Sequence, residues 1–312
     1  MSINTNTRSK KRIKETISKL SNPESYNTVY HMPNHSVHMP STDDLKRIVD
    51  ITREILFPGY FGNDILEEDT ISYYTGVNID NLNRLLVEQI KRGLCFDCTT
   101  KNDTSLCNDC VDKAEDLASL FIERLPLIRH FLSTDIKAAY DGDPAAKSYG
   151  EIIFCYPVIK ALINYRIAHE LVQLQVPLIP RIISELAHSE TGIDINPEAQ
   201  IGEFFTIDHG TGVVIGATCI IGKHVQLYQG VTLGAKSFPM DENGNPIKGI
   251  ARHPIVEDNV VIYANATILG RITIGADSVI GGNVWITQDV APGSKMMQTK
   301  ARSIQLLDGA GI

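Results

Sequence analysis

The chain has 312 residues, 43% of them hydrophobic and 21% charged, with a formal net charge of -8. That is enough material for a sizeable core and roughly two domains, and the acidity argues against the basic surface by which a protein meets nucleic acid or an anionic membrane. No stretch approaches the ~20 consecutive apolar residues of a membrane span, and no apolar run follows the basic cluster at Lys10–Arg12, so the expected compartment is the cytoplasm.

Residues 1–41 read as a mobile N-terminal arm, rich in Ser, Asn, Pro and Lys, with Pro33 and Pro40 interrupting any continuing helix. Its histidines, His31, His35 and His38, have no cysteine or carboxylate beside them, so a metal site is not the expected reading. From Thr42 the period turns helical. Leu45, Ile48, Val49 and Leu56 keep to one face, Ile51 and Ile55 widen it, Thr52 interrupts it, and Ser41-Thr42-Asp43-Asp44 supplies capping side chains. Further helices are predicted over Asp80–Arg92, Asp109–Arg124, Leu127–Tyr140, Pro157–Gln175 and Leu178–Ala187, which makes residues 42–190 an all-α domain. Pro126 and Pro157 fit if each lies in a first turn.

Two features of this region carry chemistry. Cys95, Cys98, Cys107 and Cys110 form C-x2-C-x8-C-x2-C, which could hold a tetrahedral zinc, although the central spacing is short of the ~12–20 residues usual for such pairs. Redox-active pairs or plain reduced thiols are the other readings. Asp141-Gly142-Asp143-Pro144 breaks the helices, because a proline disfavours the α conformation in the residue before it, and the resulting turn presents two carboxylates. The plain alternative is an N-cap for the next helix.

After Ser189-Glu190-Thr191-Gly192 the period becomes six. Val256, Ile262, Ile268, Ile274, Ile280 and Ile286 form one row, with a second row four residues behind at Val260, Ala266, Ile272, Ser278, Val284 and Val290. The same register runs earlier through Ile195, Ile201 and Ile207, then Ile215, Ile221, Leu227 and Leu233. Hexapeptide periodicity belongs to a parallel β-helix, in which each coil buries its aliphatic row only against its neighbours. Cys219, four residues after Ile215, falls on an inward position. The count fails twice: at Asp208-His209-Gly210-Thr211-Gly212, which adds two residues, and in a loop over 235–253 that ends in Arg252-His253-Pro254. A loop of that length inside a repeat is more often functional than not.

These motifs, with Asp194-Ile195-Asn196-Pro197, Gln229-Gly230-Val231-Thr232-Leu233-Gly234 and the fifteen residues from Asp194 to His209, resemble the serine O-acetyltransferase family of left-handed β-helix acyltransferases. The match covers roughly Asp143 to Val290. It implies an α+β protein: an N-terminal all-α helical domain, then a C-terminal left-handed parallel β-helix over 191–294 with one extruded loop, then a tail over 295–312. The implied activity is transfer of acetyl from acetyl-CoA to the hydroxyl of L-serine, giving O-acetylserine for cysteine synthesis.

The residues suit that chemistry. Removing the hydroxyl proton needs a base working near neutral pH, the role expected of His209, with Asp194 holding its other ring nitrogen. A zwitterionic acceptor calls for both signs of charge. Arg252 can fork onto the carboxylate, Asp208 and Asp143 can take the ammonium, and the resemblance adds His253 to the substrate site. Gly234 and Ala235 are the expected backbone donors at the acetyl end of the co-substrate, and Ala264 and Gly282 the expected contacts of coenzyme A along the coils. The resemblance also implies a homotrimer or hexamer, sites between subunits, cysteine feedback at the serine site, and O-acetylserine sulfhydrylase as a partner engaged through Ile312.

The sequence departs from the family pattern in its longer loop, in Met296-Met297-Gln298-Thr299-Lys300-Ala301 after the last hexad, and in the four-cysteine cluster, which has no counterpart. Two other readings stay open. A hexapeptide acyltransferase for a sugar or antibiotic would share His209 without needing Asp208, Asp143 and Arg252. A β-helical zinc carbonic anhydrase needs three histidines meeting at an interface, and His209, His224 and His253 lack that spacing.

Overall fold

The computed structural model describes residues 3–32, 37–62, 66–100 and 110–299, with side chains from residue 8 onward. Nine helices precede the coils among these residues: α1 (Ile3–Leu20), α2 (Pro23–Tyr26), α3 (Thr42–Leu56), α4 (Ile71–Thr100), α5 (Cys110–Glu123), α6 (Leu125–Gly142), α7 (Tyr149–Cys155), α8 (Pro157–Gln173) and α9 (Ile179–Thr191). None is long and apolar enough to cross a membrane.

Local chemistry explains several boundaries. The Ser41 hydroxyl caps α3 by accepting from the Asp44 N–H at 3.2 Å, and the predicted face of α3 is buried, Thr52 included. Thr52 is satisfied internally, its hydroxyl donating to Ile48 O at 2.7 Å. Pro157 opens α8, whose buried residues lie on all sides, and α9 stops where Gly192 takes a left-handed φ of 70°.

The N-terminal arm, expected to lack regular structure, is helical over α1 and α2. Its first proline is Pro23, so nothing breaks the backbone of α1, and Ile13, Ile17 and Leu20 recur at helical spacing. That stripe stays exposed, between 56% and 70%, so tertiary packing does not supply the reason for the helix. Two other expectations also change. α4 is much longer than Asp80–Arg92, and α7, which buries only Ile152, left no periodic signal.

The coils form a three-faced prism. Face A stacks β1 (Asp194–Ile195), β4 (Val214–Ile215), β7 (Thr232–Gly234), β10 (Thr267–Leu269) and β13 (Trp285–Ile286). Face B stacks β2 (Gln200–Ile201), β5 (Ile220–Ile221), β8 (Ile255–Val256) and β11 (Thr273–Ile274). Face C stacks β3 (Thr206–Asp208), β6 (Gln226–Tyr228), β9 (Val261–Ile262), β12 (Val279–Ile280) and β14 (Lys295–Met296). All pairings are parallel, and the hexad rows become inward ladders: on face A Ile195, Ile215, Leu233, Ile268 and Ile286 stand one above another. The architecture is thus helices followed by a parallel solenoid of the left-handed β-helix type. β14 pairs with β12, so the last coil runs past the predicted end at 294.

One buried ion pair joins helices to coils. Arg166 on α8 and Asp135 on α6 meet in two hydrogen bonds of 3.1 Å, with side chains 4% and 0% exposed. Arg166 also donates to Ile201 O (2.6 Å) and Gly202 O (2.8 Å), and the Phe205 N–H donates to Asp135 Oδ1 at 3.1 Å. Beside them the Tyr165 hydroxyl donates to Ala199 O, and the Phe204 N–H to Thr134 Oγ1. Burial pushes the Asp135 carboxyl up to about 6, against the pull of Arg166, which still leaves it ionised at neutral pH.

Removing one partner strands the other charge in the junction. Arg166→Met should lower unfolding free energy in urea by about 3–5 kcal/mol. The double change Asp135→Leu/Arg166→Met should recover part of that loss, since no charge stays buried. A single variant as stable as the parent would show that the pair does not hold the junction.

Candidate active site

The edge between faces C and A carries the first break in the repeat. Ile207 and Ile215 are eight residues apart, against six for Leu227 and Leu233 one coil above. The extra length is absorbed by three left-handed positions, His209 (φ 58°), Gly210 (φ 92°) and Gly212 (φ 80°), and the chain is pinned back by Gly212 N–H donating to Gly192 O at 2.8 Å. Only His209 bears a Cβ, at a conformational cost of about 1–2 kcal/mol. Its imidazole projects from the prism with 74% of the side chain exposed, and Nε2 lies 3.9 Å from Asp208 Oδ1.

The helices bring a second carboxylate to this edge. Pro144 holds Asp143 in an extended conformation (φ -113°, ψ 105°) where α6 ends. Asp143 Oδ1 accepts from the Ala145 N–H at 2.8 Å, and Oδ2 accepts from the Tyr156 hydroxyl at 2.6 Å. Asp143, Tyr156, Asp208 and Gln226 line a cleft of about 10 Å³, room for one water-sized group. The Tyr156 hydrogen bond, helped by the Ala145 N–H, holds the Asp143 carboxyl below its usual range. The same bond pushes the Tyr156 phenol up to about 12.

Asp194 does not hydrogen-bond His209. It opens face A beneath the corner, its N–H donating to Val213 O at 2.9 Å, while its carboxylate lies within 4.8 Å of donor atoms of His188 and Glu185 from the last turns of α9. The His209 ring, on its left-handed backbone, is left largely exposed.

Above His209 the same edge continues through the residues expected to meet coenzyme A. Strand register sets Gln229 over His209, Ala264 over Gln229 and Gly282 over Ala264, about 4.8 Å per coil. Ala264 and Gly282 share a cleft of about 600 Å³ with Tyr263, Gly281, Lys295 and Met297, and Tyr263 stacks on Tyr228 at 4.8 Å. Gln229 Oε1 is shielded from solvent and has no hydrogen-bond donor.

Arg252 and His253 stand elsewhere. They follow β7 and precede β8, on the edge between faces A and B, where Gly234 and Ala235 also leave the ladder. Thr218 organises this edge: its Oγ1 accepts from the N–H groups of Arg252 (2.9 Å) and His253 (3.1 Å), and its own N–H donates to His253 Nδ1 at 3.1 Å. Nδ1 is thus an acceptor and the neutral ring carries its proton on Nε2. Burial, with the charges of Arg252 and Arg271, pulls the His253 imidazole below its ordinary range. Arg252 lies over the Phe238 ring at 5.4 Å, and its shielded Nε lacks an acceptor. Face A separates the two edges by about six residues, roughly 15–20 Å. One chain therefore does not by itself unite Arg252, His253, Gly234 and Ala235 with His209, Asp208 and Asp143.

The cysteine cluster gives zinc no support. Cys95, Cys98 and Cys110 are buried where α4 meets α5, Cys107 lies outside the described residues, and burial pushes the Cys95 thiol up. The one group of three among the described residues with donor atoms close enough for an ion is Glu185, His188 and Asp194. Cys219 is an inward core residue, its thiol pushed up to about 12 by burial. Ile312 and its expected contact with a partner lie outside the described residues. Tyr156, Thr218 and Gln229 had no signal as site residues, since their partners are distant in sequence or absent.

Residues 253–288 match the family model described as bacterial transferase hexapeptide (six repeats). The chain is 51% identical over 275 residues to the plasmid serine acetyltransferase of Synechococcus elongatus, covering 88% of this chain and 86% of that protein. It is 46% identical over 158 residues to the serine acetyltransferase of Mycobacterium tuberculosis, covering 51% of this chain and 65% of that one. Among solved structures it resembles Entamoeba histolytica serine acetyltransferase 1 in complex with L-cysteine, at 35% identity and a TM-score of 0.69, over 88% of this chain and 94% of the other.

A methyl group at residue 216 would fall on the His253 ring. Gly216→Ala should therefore drive the imidazole out toward solvent and bring its titration back up toward the ordinary histidine value. Imidazole ¹H–¹⁵N spectra across pH read this directly: the parent should show an Nε2–H tautomer titrating low, and an unchanged tautomer and titration in Gly216→Ala would contradict the packing.

Proposed function

This chain belongs to the serine acetyltransferase family, and from that premise we propose that His209 is the base of a site completed by a second copy of the chain. The enzyme transfers acetyl from acetyl-CoA to the hydroxyl of L-serine, forming O-acetylserine. The observation that carries the assignment is the edge between faces C and A. His209 stands there beside Asp208 and Asp143, with the Ala264–Gly282 cleft two and three coils above it.

In this reading coenzyme A lies along that edge and delivers its thioester down to His209. The serine ammonium enters between Asp143 and Asp208. His209 takes the hydroxyl proton as the oxygen attacks the acetyl carbonyl, and the protonated imidazole then hands a proton to the departing thiolate. Asp194 accepts from Nδ1 once the exposed ring swings onto face A. Such bonds are often unmade in the empty enzyme and close on substrate.

Arg252 and His253 come from the neighbouring copy, whose edge between faces A and B docks on this one. Arg252 then grips the serine carboxylate, meeting the acceptor its Nε lacks in the single chain. Gly234 and Ala235 arrive with it as donors for the oxyanion. A contact between two different edges is heterologous, and on a three-faced prism it closes naturally into a ring of three.

Release of coenzyme A should depend on L-serine, and His209→Ala should reduce it by about 10²–10⁴-fold. Activity on sugars or antibiotics without response to serine would reject the reading. The shared site has its own test. His209→Ala and Arg252→Ala should each be inactive alone, yet regain a fraction of activity when unfolded together and refolded as mixed oligomers. No recovery in proven mixed oligomers would place both residues in one chain's site.

A further inference from the structure

We propose that Tyr156 is a positioning residue for the acceptor amino acid, fixing through Asp143 the carboxylate that receives the substrate ammonium. The inference rests on the reading of Asp143 as an ammonium ligand and adds what makes that ligand rigid.

Two prolines create the arrangement. Asp143 precedes Pro144 and Tyr156 precedes Pro157, and both residues are extended for that reason (φ -113°, ψ 105° and φ -80°, ψ 122°). Tyr156 is also the hinge between α7 and α8, its N–H closing α7 on Ile152 O at 3.2 Å. Backbone freedom is thus restricted at both ends of the 2.6 Å bond between the phenol and Asp143 Oδ2. With Oδ1 engaged by the Ala145 N–H, each carboxylate oxygen has one fixed donor, and the remaining lone pairs face the cleft shared with Asp208.

The bond matters because of what surrounds Asp143. Asp208, His209 and Tyr228 face it from the coils and Tyr156 from the end of α7, with Glu151 in turn near Tyr156. Asp143 and Asp208 line one narrow cleft, so the direction in which the Asp143 carboxylate points decides whether both can meet one ammonium. The Tyr156 hydroxyl, a neutral donor, fixes that direction by holding Oδ2 at 2.6 Å. Without it Asp143 would turn freely and take up a proton more readily.

Tyr156→Phe keeps the ring and deletes only the donor. It should raise the KM for L-serine about tenfold, leave the KM for acetyl-CoA unchanged and hold kcat within about twofold. The acid limb of L-serine binding, read as Kd against pH and free of the proton step at His209, should move to higher pH, because the lost hydrogen bond is what holds the Asp143 carboxyl below its usual range. General loosening would instead weaken binding alike at every pH. Preference for L-serine over 3-hydroxypropionate, which lacks the ammonium, should fall in the same variant. Thermal unfolding checks the fold, and if Phe is not tolerated, Tyr156→Gln keeps a donor and should fall between parent and Phe in the same assays. Asp143→Asn separates the layers. If it leaves the serine KM unchanged, the ammonium reading fails. If it raises the KM while Tyr156→Phe changes neither KM nor the acid limb, that reading stands and the positioning role is overturned.

Discussion

The buried contact between Arg166 and Asp135 is the constraint on which the candidate site depends. Asp135 accepts from Phe205 at the head of β3, so α6 and β3 leave the same anchor in company. Eight residues along α6 is Asp143, and three residues along face C from Phe205 is Asp208. At about 1.5 Å per residue in a helix and 3.3 Å in a strand, the two arms reach roughly 12 and 10 Å from the anchor. Their ends meet in the cleft that Tyr156 closes. Arg166 holds the base of this caliper by binding Ile201 and Gly202 on the first coil, so the spacing of two carboxylates from different elements is set by one ion pair.

The prism dictates where chemistry can reside. On its faces the backbone groups are consumed by parallel ladders and alternate side chains are committed to the core, so polar function is left to the edges. The two edges flanking face A gather different groups: Asp208 and Asp143 at one, Arg252, His253 and Arg271 at the other. They stand too far apart within one chain to act on one substrate.

The coils were legible in the sequence because a hexad ladder needs its inward residue at every sixth position, and from Ile195 to Ile286 that rule holds except at the two breaks after Ile207 and Leu233. The helices were less so. α3 announced both face and cap, whereas Tyr73 and Val77 at the head of α4 are exposed and gave no stripe to follow. The site was half legible. Breaks in the count pointed to His209 and to Arg252, but counting alone does not say which edge of the prism a break occupies; the fold sets the first between faces C and A and the second between faces A and B. Thr218 holds a residue 35 positions away, and Tyr156 one 13 positions back. Ordinary residues gain such roles only from the fold.

The long excursion over 235–253 leaves from a corner and not from within a strand. β7 pairs on face A with β4 and β10, β8 pairs on face B with β5 and β11, and no ladder bond spans the gap between them. The number of residues in the excursion therefore never enters the register of the solenoid. Descendants of this chain can lengthen, shorten or rewrite that segment without realigning a single rung, and the corner becomes a place where lineages can diverge while the scaffold stays the same.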